Sequence, residues 1–287
     1  MSKLIIVHVS DFHFAPKNVG FLNFLSKEDL ISKRLIGWLN YQYNRRPYFK
    51  DQLKENLIAK LNQIEWDYLI ITGDLTNVAS EMEFKIAREY LDPLIKKGKV
   101  ILTAGNHDRY TQSSLKQDWL KKYFPDCYPY RKANLKGQDQ NILSLDEETV
   151  LLGIDMSAPR NWFSSRGSIN GELNQYQEIL SNHYKNHFKI VIGHYPAFLP
   201  EEIQQRKLHS LENIKLFQEF LMNCGIDLYL HGHIHKTWSF KPVENHTLTS
   251  VNSGGCCRHS SGPWAGFHRL TIQEKEATIQ RVLPNDL

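Results

Sequence analysis

Five times along this chain a short apolar run breaks off at a residue able to bind a metal. Residues 4–9 lead into Asp11-Phe12-His13, and residues 68–72 lead into Gly73-Asp74. Residues 100–104 lead into Gly105-Asn106-His107-Asp108, and 188–192 into Gly193-His194. Residues 226–230 end at His231-Gly232-His233-Ile234-His235. Apolar runs of about 4–6 residues, without polar alternation, fit strands covered on both faces. A sixth run, 150–154, ends in Asp155, which stands outside the set and reads as structural.

Between these runs lie helical patterns at 51–64, 80–95, 171–184 and 211–222. The first, for example, places Leu53, Leu57, Ile58, Leu61 and Ile64 on one stripe. Strands alternating with helices predict an α/β layered fold. After His235 the pattern turns to short alternating strands at 237–240, 246–251, 266–272 and 277–283, expected to complete a second sheet packed on the first. There is no Gly, Pro or Ser-rich linker and no internal repeat, so residues 1–287 read as a single domain. One segment breaks the alternation. Residues 18–50 carry Phe21, Phe24, Trp38, Tyr41, Tyr43, Tyr48 and Phe49 among Lys33, Arg34, Arg45 and Arg46. They read as a helical insert packed on the domain edge, with a lid or a surface for an anionic, amphipathic or membrane partner as the other readings.

In a layered α/β sheet, loops at the carboxyl ends of the strands gather at one edge. That would collect Asp11, His13, Asp74, Asn106, His107, His194, His233 and His235. In the last loop, His233 and His235 at i, i+2 would point the same way on an extended segment, with Gly232 supplying the turn. Oxygen and imidazole donors without cysteine suit Mn, Fe, Zn or Co. Seven of these as ligands, with His107 beside them, are too many for one catalytic ion and fit two divalent ions sharing a carboxylate. Such ions, roughly 3.5–4 Å apart, can clamp the attacking and leaving oxygens of a phosphoryl displacement.

Composition narrows the classes. A formal charge of +4 suits a small anionic substrate and falls short of a duplex-binding surface, so no duplex nucleic acid is expected. Thirteen histidines exceed what packing needs. Cys127, Cys224, Cys256 and Cys257 make no disulfide framework. With no signal-like segment and no long apolar span, the expectation is a soluble, cytoplasmic protein with reduced thiols.

The blocks Asp11-x-His13, Gly73-Asp74, Gly105-Asn106-His107-Asp108, Gly193-His194 and Gly232-His233-x-His235 resemble, in order, the signature of calcineurin-like metallophosphoesterases. The resemblance covers residues 5 to 235. It implies a four-layer α/β/β/α sandwich of two mixed β-sheets, the metallo-dependent phosphatase fold, with a dinuclear centre. It further implies that Asp11, His13, Asp74 and His235 hold the first metal, that Asp74 bridges, and that Asn106, His194 and His233 hold the second. A metal-bridging hydroxide would attack phosphorus in line, and His107 would protonate the leaving oxygen or stabilise the transition state. Asp108 reads as an orienting carboxylate or helix cap, Arg109 and Tyr110 as phosphate contacts or surface residues, His231 as a neighbour of the ligands, and His8 as a hydrogen-bonded core residue. The Gly-rich stretch around Cys256 and Cys257 would line the site.

Protein Ser/Thr phosphatases of this superfamily have an Asp-Arg-Gly extension whose Arg grips phosphate; here the stretch is Gly73-Asp74-Leu75-Thr76-Asn77. The chain is more similar to the bacterial cyclic-nucleotide phosphodiesterase-like branch. The resemblance therefore implies a phosphodiesterase acting on a small anionic phosphodiester such as a cyclic nucleotide. The alternatives are a pyrophosphatase cleaving a nucleotide-linked acyl sugar at a membrane surface, and a non-catalytic scaffold of the same fold.

Overall fold

The computed structural model of the chain describes residues 3–16, 32–127, 129, 141–169, 173–259 and 265–283. β1 (Leu4–Val9) opens the fold. α1 (Lys33–Asn40) continues through a π-helical turn (Tyr41–Arg45) and a 3-10 turn (Arg46–Tyr48) to α2 (Asp51–Gln63). Then come β2 (Tyr68–Ile71), α3 (Glu81–Lys97), β3 (Lys99–Leu102), α4 (Gln112–Gln117) and α5 (Trp119–Tyr123). The second half runs β4 (Ile142–Ser144), β5 (Thr149–Gly153), α6 (Leu173–His183), β6 (Phe188–Ile192), α7 (Ile214–Asn223) and β7 (Leu228–His231). β8 (Trp238–Phe240), β9 (Thr249–Asn252), β10 (Phe267–Gln273) and β11 (Glu276–Val282) follow.

The strands form two mixed sheets, β11-β10-β1-β2-β3 and β4-β5-β6-β7-β9-β8. Side chains alternate between the two faces of a strand, so the central strands, covered on both faces, are mostly apolar. Ile6, Ile70 and Ile101 of the first sheet meet Leu151, Ile190, Leu228 and Val251 of the second in one buried cluster. Their neighbours Val7, Leu69 and Ile71 face outward onto Leu57, Leu61, Phe84 and Leu91 of α2 and α3. On the far side Val150, Leu152 and Val191 pack under Tyr176, Leu180, Phe217 and Leu221 of α6 and α7. Each central strand is therefore covered twice, and the layers run α/β/β/α.

Two expectations need correction. The C-terminal strands do not all complete the second sheet. β8 and β9 join it, whereas β10 pairs antiparallel with β1, from Leu4↔Ile272 to His8↔His268, and β11 pairs with β10. Alternation announces a strand without naming its partner. β1 is paired on one edge by β2, and the open edge is what β10 fills. The insert, in turn, is a helix of eight residues passing into a π turn, and it does more than flank the domain edge. Arg34 is buried and donates to the Val78 and Ala79 carbonyls at 3.0 and 2.8 Å, fastening α1 over the loop after β2. Residues 18–31, with Phe21 and Phe24, lie outside the described residues. Among the described residues, no helix is long and apolar enough to cross a membrane.

β1, β2 and β3 are adjacent and parallel, as are β6 and β7. Their carboxyl ends open on one rim, where the five loops meet.

Candidate metal centre

The ligand-type side chains are brought together by loops that leave their strands abruptly. Asp11, His13, Asp74, His233 and His235 all take positive φ, from 49° at His13 to 77° at His233. Left-handed backbone at non-glycine residues is uncommon and concentrates at functional sites. This corrects the expected extended geometry of the last loop: β7 ends at His231, and each following histidine turns separately. Gly232 serves close approach instead, since a Cβ there would lie 1.9 Å from Ser10 Oγ. Asp11 N–H donates to the Gly73 carbonyl and His13 N–H to the Asp74 carbonyl, both at 3.0 Å, so the first two loops are laced together.

One atom each from Asp11, His13, Asp74 and His235 lie within 4.8 Å of one another, and so do atoms from Asp74, His194 and His233. Asp74 belongs to both groups. Each anchored imidazole has one nitrogen fixed by a carbonyl, which can only accept a hydrogen bond. His13 Nδ1 donates to Thr76 O at 3.0 Å and His194 Nδ1 to Thr72 O at 2.7 Å. His233 Nε2 donates to His209 O at 2.7 Å. Such second partners fix the tautomer and aim the remaining lone pair.

Those lone pairs point at nitrogen and oxygen atoms of the same groups. His13 Nε2 lies 3.0 Å from His235 Nε2, and His235 Nε2 lies 3.3 Å from Asp11 Oδ1. His233 Nδ1 faces Asn106 Oδ1 at 2.9 Å, and His194 Nε2 faces Asp74 Oδ2 at 3.3 Å. His194 Nε2 is buried without a hydrogen-bond partner. Nitrogen and oxygen atoms converging in this way, largely buried, favour a cation or a proton between them. Two divalent cations, one per group, fit this donor set.

The electrostatics carry the same demand. Burial pushes His194 down, yet Asp74 beside it lifts the imidazole to about 9, so a proton does there what a cation would. Burial raises Asp74, and the His194 and His107 charges overcome it, holding the carboxyl well below the usual range. His13 and His233 are pushed well below the ordinary histidine value, chiefly by burial.

The residues around these groups have definite positions. His107 donates its backbone N–H to Asp74 Oδ1 at 2.8 Å and its Nδ1–H to the Asn77 carbonyl at 2.5 Å. Its ring stacks on Tyr110 with centroids 5.4 Å apart. Burial pushes it down to about 3 despite Asp74, and Arg45 adds to the push. Asp108 accepts from Thr76 N–H at 3.0 Å and Gly105 N–H at 2.9 Å, bracing the second loop against the third. Arg109 turns away from the cavity and pairs with Asp155 at 2.6 Å. His231 Nε2 meets Ser250 Oγ at 3.0 Å, and His8 Nε2 meets Thr72 Oγ1 at 2.9 Å, so both belong to the core. Cys256 and Cys257 are buried, unbridged thiols with sulfurs 3.7 Å apart.

A cavity of about 200 Å³ opens over the two groups, lined among others by Asp74, Asn106, His107, His209, His233 and His235. Arg45, from the insert, also lines it and donates from Nη1 to His107 Nε2 at 2.9 Å. Sequence reasoning did not single out Arg45, and the basic-aromatic composition around it offered only a diffuse signal.

Fold and ligand set together define a metal-dependent phosphoester hydrolase. The calcineurin-like phosphoesterase family model matches residues 4–237, and the chain belongs to that family. It is 26% identical over 188 residues to a probable cyclic nucleotide phosphodiesterase of Vesicomyosocius okutanii subsp. Calyptogena okutanii (strain HA), covering 65% of this chain and 70% of that one. It is 26% identical over 201 residues to Homo sapiens metallophosphoesterase domain-containing protein 1, covering 66% of this chain and 60% of that protein. A dimetal phosphatase from Danio rerio superposes with a TM-score of 0.67 at 11% identity, covering 98% of this chain and 96% of the other, which shows the shared fold.

Proposed function

We propose that this single-domain chain is a dinuclear phosphodiesterase acting on a small anionic phosphodiester, with cyclic nucleotides the first candidates. The observation that carries the reading is the convergence of ligand-type nitrogen and oxygen atoms into two groups that share Asp74, at the floor of one cavity. Asp11, His13, Asp74 and His235 would hold one ion, and Asn106, His194 and His233 the other, with Asp74 shared. When bound, the ions supply Lewis acidity toward the phosphoryl group and a nucleophile drawn from water at neutral pH. The chain's own residues position them. Thr72, Thr76 and His209 carbonyls set the tautomers of His194, His13 and His233. Asp108 holds the Asp74 and His107 loops together. His107 lines the cavity, with Nε2 on Arg45 and Nδ1–H on Asn77 O, and would act there on a leaving oxygen. The name of the Vesicomyosocius okutanii relative supports cyclic nucleotides as the first substrates to try.

The test is a screen of metal-loaded protein, with Mn, Fe, Zn and Co in turn, against monoesters, linear and cyclic diesters and nucleotide-sugar pyrophosphates. Phosphodiester turnover should be abolished in Asp74→Ala. Undiminished turnover in that variant would sink the dinuclear reading, and no turnover of any of these esters by the metal-loaded wild type would leave the non-catalytic scaffold.

A second reading, a pyrophosphatase for a nucleotide-linked acyl sugar at a membrane surface, is favoured by one feature. Ile36, Leu39 and Tyr43 are exposed at helical spacing on the insert that carries Arg45, and Trp162, Phe163 and Leu208 are exposed nearby. Lys33 donates to the Ser164 carbonyl at 2.7 Å, which holds the helix beside that loop. Binding to anionic lipid vesicles that is lost in Ile36→Ser/Leu39→Ser/Tyr43→Ser would support it. Indifference to vesicles would remove it.

A further inference from the structure

Four cations of the insert, Lys33, Arg34, Arg45 and Arg46, have four different situations. Arg34 is buried and satisfied by two carbonyls, and Lys33 reaches the Ser164 carbonyl and covers the Tyr110 ring. Arg46 is exposed and donates to Gln42 at 3.0 Å. Of these four Arg45 alone lines the cavity, where Arg206 is the other cation, and the one hydrogen-bond partner of Arg45 among the described residues is His107. That partner is a neutral imidazole whose Nε2 accepts, because Nδ1–H is committed to the Asn77 carbonyl. Among the described residues no carboxylate pairs with Arg45, and the single carboxylate lining the cavity is Asp74, which the metal groups share.

A half-buried guanidinium whose one hydrogen-bond partner among the described residues is an imidazole has donors left over for an anion. Its planar fork fits two oxygens of a phosphate. Its reach is right as well: Arg45 touches the His107 side chain, and the His107 backbone touches Asp74. An anion lying over the two metal groups would therefore meet Arg45 from the opposite side. The stretch after Asp74 reads Leu75-Thr76-Asn77, so no arginine from the second loop can serve there.

We propose that Arg45, delivered by the π turn of the insert, grips the phosphoryl oxygens of the substrate, releasing His107 as it does so. This rests on the phosphohydrolase reading above. The insert is then a working wall of the active site, and once phosphate has taken Arg45 away the His107 Nε2 lone pair can take a proton from solvent, which it must carry before it can give one to the leaving oxygen.

The experiment is a calorimetric titration of Mn-loaded protein with inorganic phosphate, run on wild type, Arg45→Ala, Arg45→Gln, Arg45→Lys and Arg46→Ala. Phosphate affinity should fall about 10–100-fold in Arg45→Ala at unchanged Mn stoichiometry, the span for losing a charge-assisted pair. Arg45→Gln should fall as far, although it keeps a donor for His107 and is expected to fold where alanine does not. Arg45→Lys should lie between, and Arg46→Ala should match wild type. For an aryl phosphodiester the loss should fall on KM in step with the phosphate affinity, and added guanidinium should restore part of it in Arg45→Ala alone. Phosphate affinity within about threefold of wild type in both Arg45→Ala and Arg45→Gln overturns the assignment. If hydrolysis requires Asp74 yet phosphate ignores Arg45, the assignment fails and the hydrolase reading stands. If no phosphoester is hydrolysed but phosphate affinity still depends on Arg45, the hydrolase reading fails and the assignment stands.

Discussion

Gly105→Ala isolates how tightly the second and third loops must pack for the metal centre to exist. A Cβ at Gly105 would lie 2.1 Å from Asp74 Oδ1 and 2.4 Å from the Asp74 backbone nitrogen. Gly105 does not take a positive φ, so the backbone conformation admits alanine and the effect is one of space alone. The backbone nitrogen cannot yield, because Asp74 lies three residues beyond β2 and its carbonyl binds His13 N–H. The carboxylate must therefore swing, and relief of such a contact takes a displacement of roughly 1 Å. Metal–ligand distances tolerate only about 0.2 Å. Overpacking of this kind costs about 1–3 kcal/mol, which for a chain of this size is a fall of about 2–10 °C in Tm. The displaced bridge should cost far more: a roughly 10²-fold loss in kcat/KM and a loss of tight Mn binding. The assay pairs thermal melting with Mn stoichiometry and affinity. Gly225→Ala is the control, because a Cβ there meets nothing within 4 Å while its φ of +60° still imposes backbone strain. It should lower Tm modestly and leave Mn binding intact. If Gly105→Ala binds Mn as wild type does, the close approach of the two loops is not what positions Asp74.

His107→Ala should reduce turnover of a diester with a poor leaving group by roughly 10²–10⁴-fold and be partly masked by a low-pKa aryl leaving group. Equal losses with both substrates would argue against proton donation. Chelation by EDTA should lower Tm by several degrees, on the order set by mass action for ions bound only to the folded state; an unchanged melt would contradict a metal-dependent centre. The metal-free protein should also lose stability in acid. His8, His231 and His268 are buried, and burial pushes them down, His231 and His268 to about 3. Between the unfolded value near 6.5 and those lowered values the unfolded chain binds more protons, so stability falls as pH drops, by up to roughly 1.4 kcal/mol per unit for each imidazole. Urea midpoints at pH 7.5, 6 and 5 should show that slope, and His268→Gln should flatten it; an unchanged slope would assign the acid sensitivity elsewhere.

What the sequence made readable follows from where its information is local. A strand covered on both faces must be apolar at every position, so β1, β2, β3, β6 and β7 stand out as runs. The residue type at each run's end carries its own chemistry. Partner choice is not local, and nothing in 266–283 says that β10 will find the open edge of β1. The geometry of the ligand loops was hidden for another reason. Glycine is the expected carrier of left-handed backbone, yet Asp11, His13, Asp74, His233 and His235 carry it themselves. A sequence reader assigns the turn to the glycine and the chemistry to the histidine, whereas here one residue does both.

The insert shows the same limit in a sharper form. Lys33, Arg34, Arg45 and Arg46 are alike in composition, and what separates them is the phase of one short helix and the π turn that follows it. No periodicity in the sequence announces a π turn, a feature that recurs at functional sites. Arg46 is one residue further along and exposed, whereas Arg45 reaches His107. Relocating the cation three residues back within the same π turn, as in Arg45→Gln/Gln42→Arg, keeps the composition and net charge of the insert. On the present reading it should bind phosphate no better than Arg45→Gln. If it recovers wild-type affinity, the insert acts through its total charge, and the position of Arg45 carries no special weight.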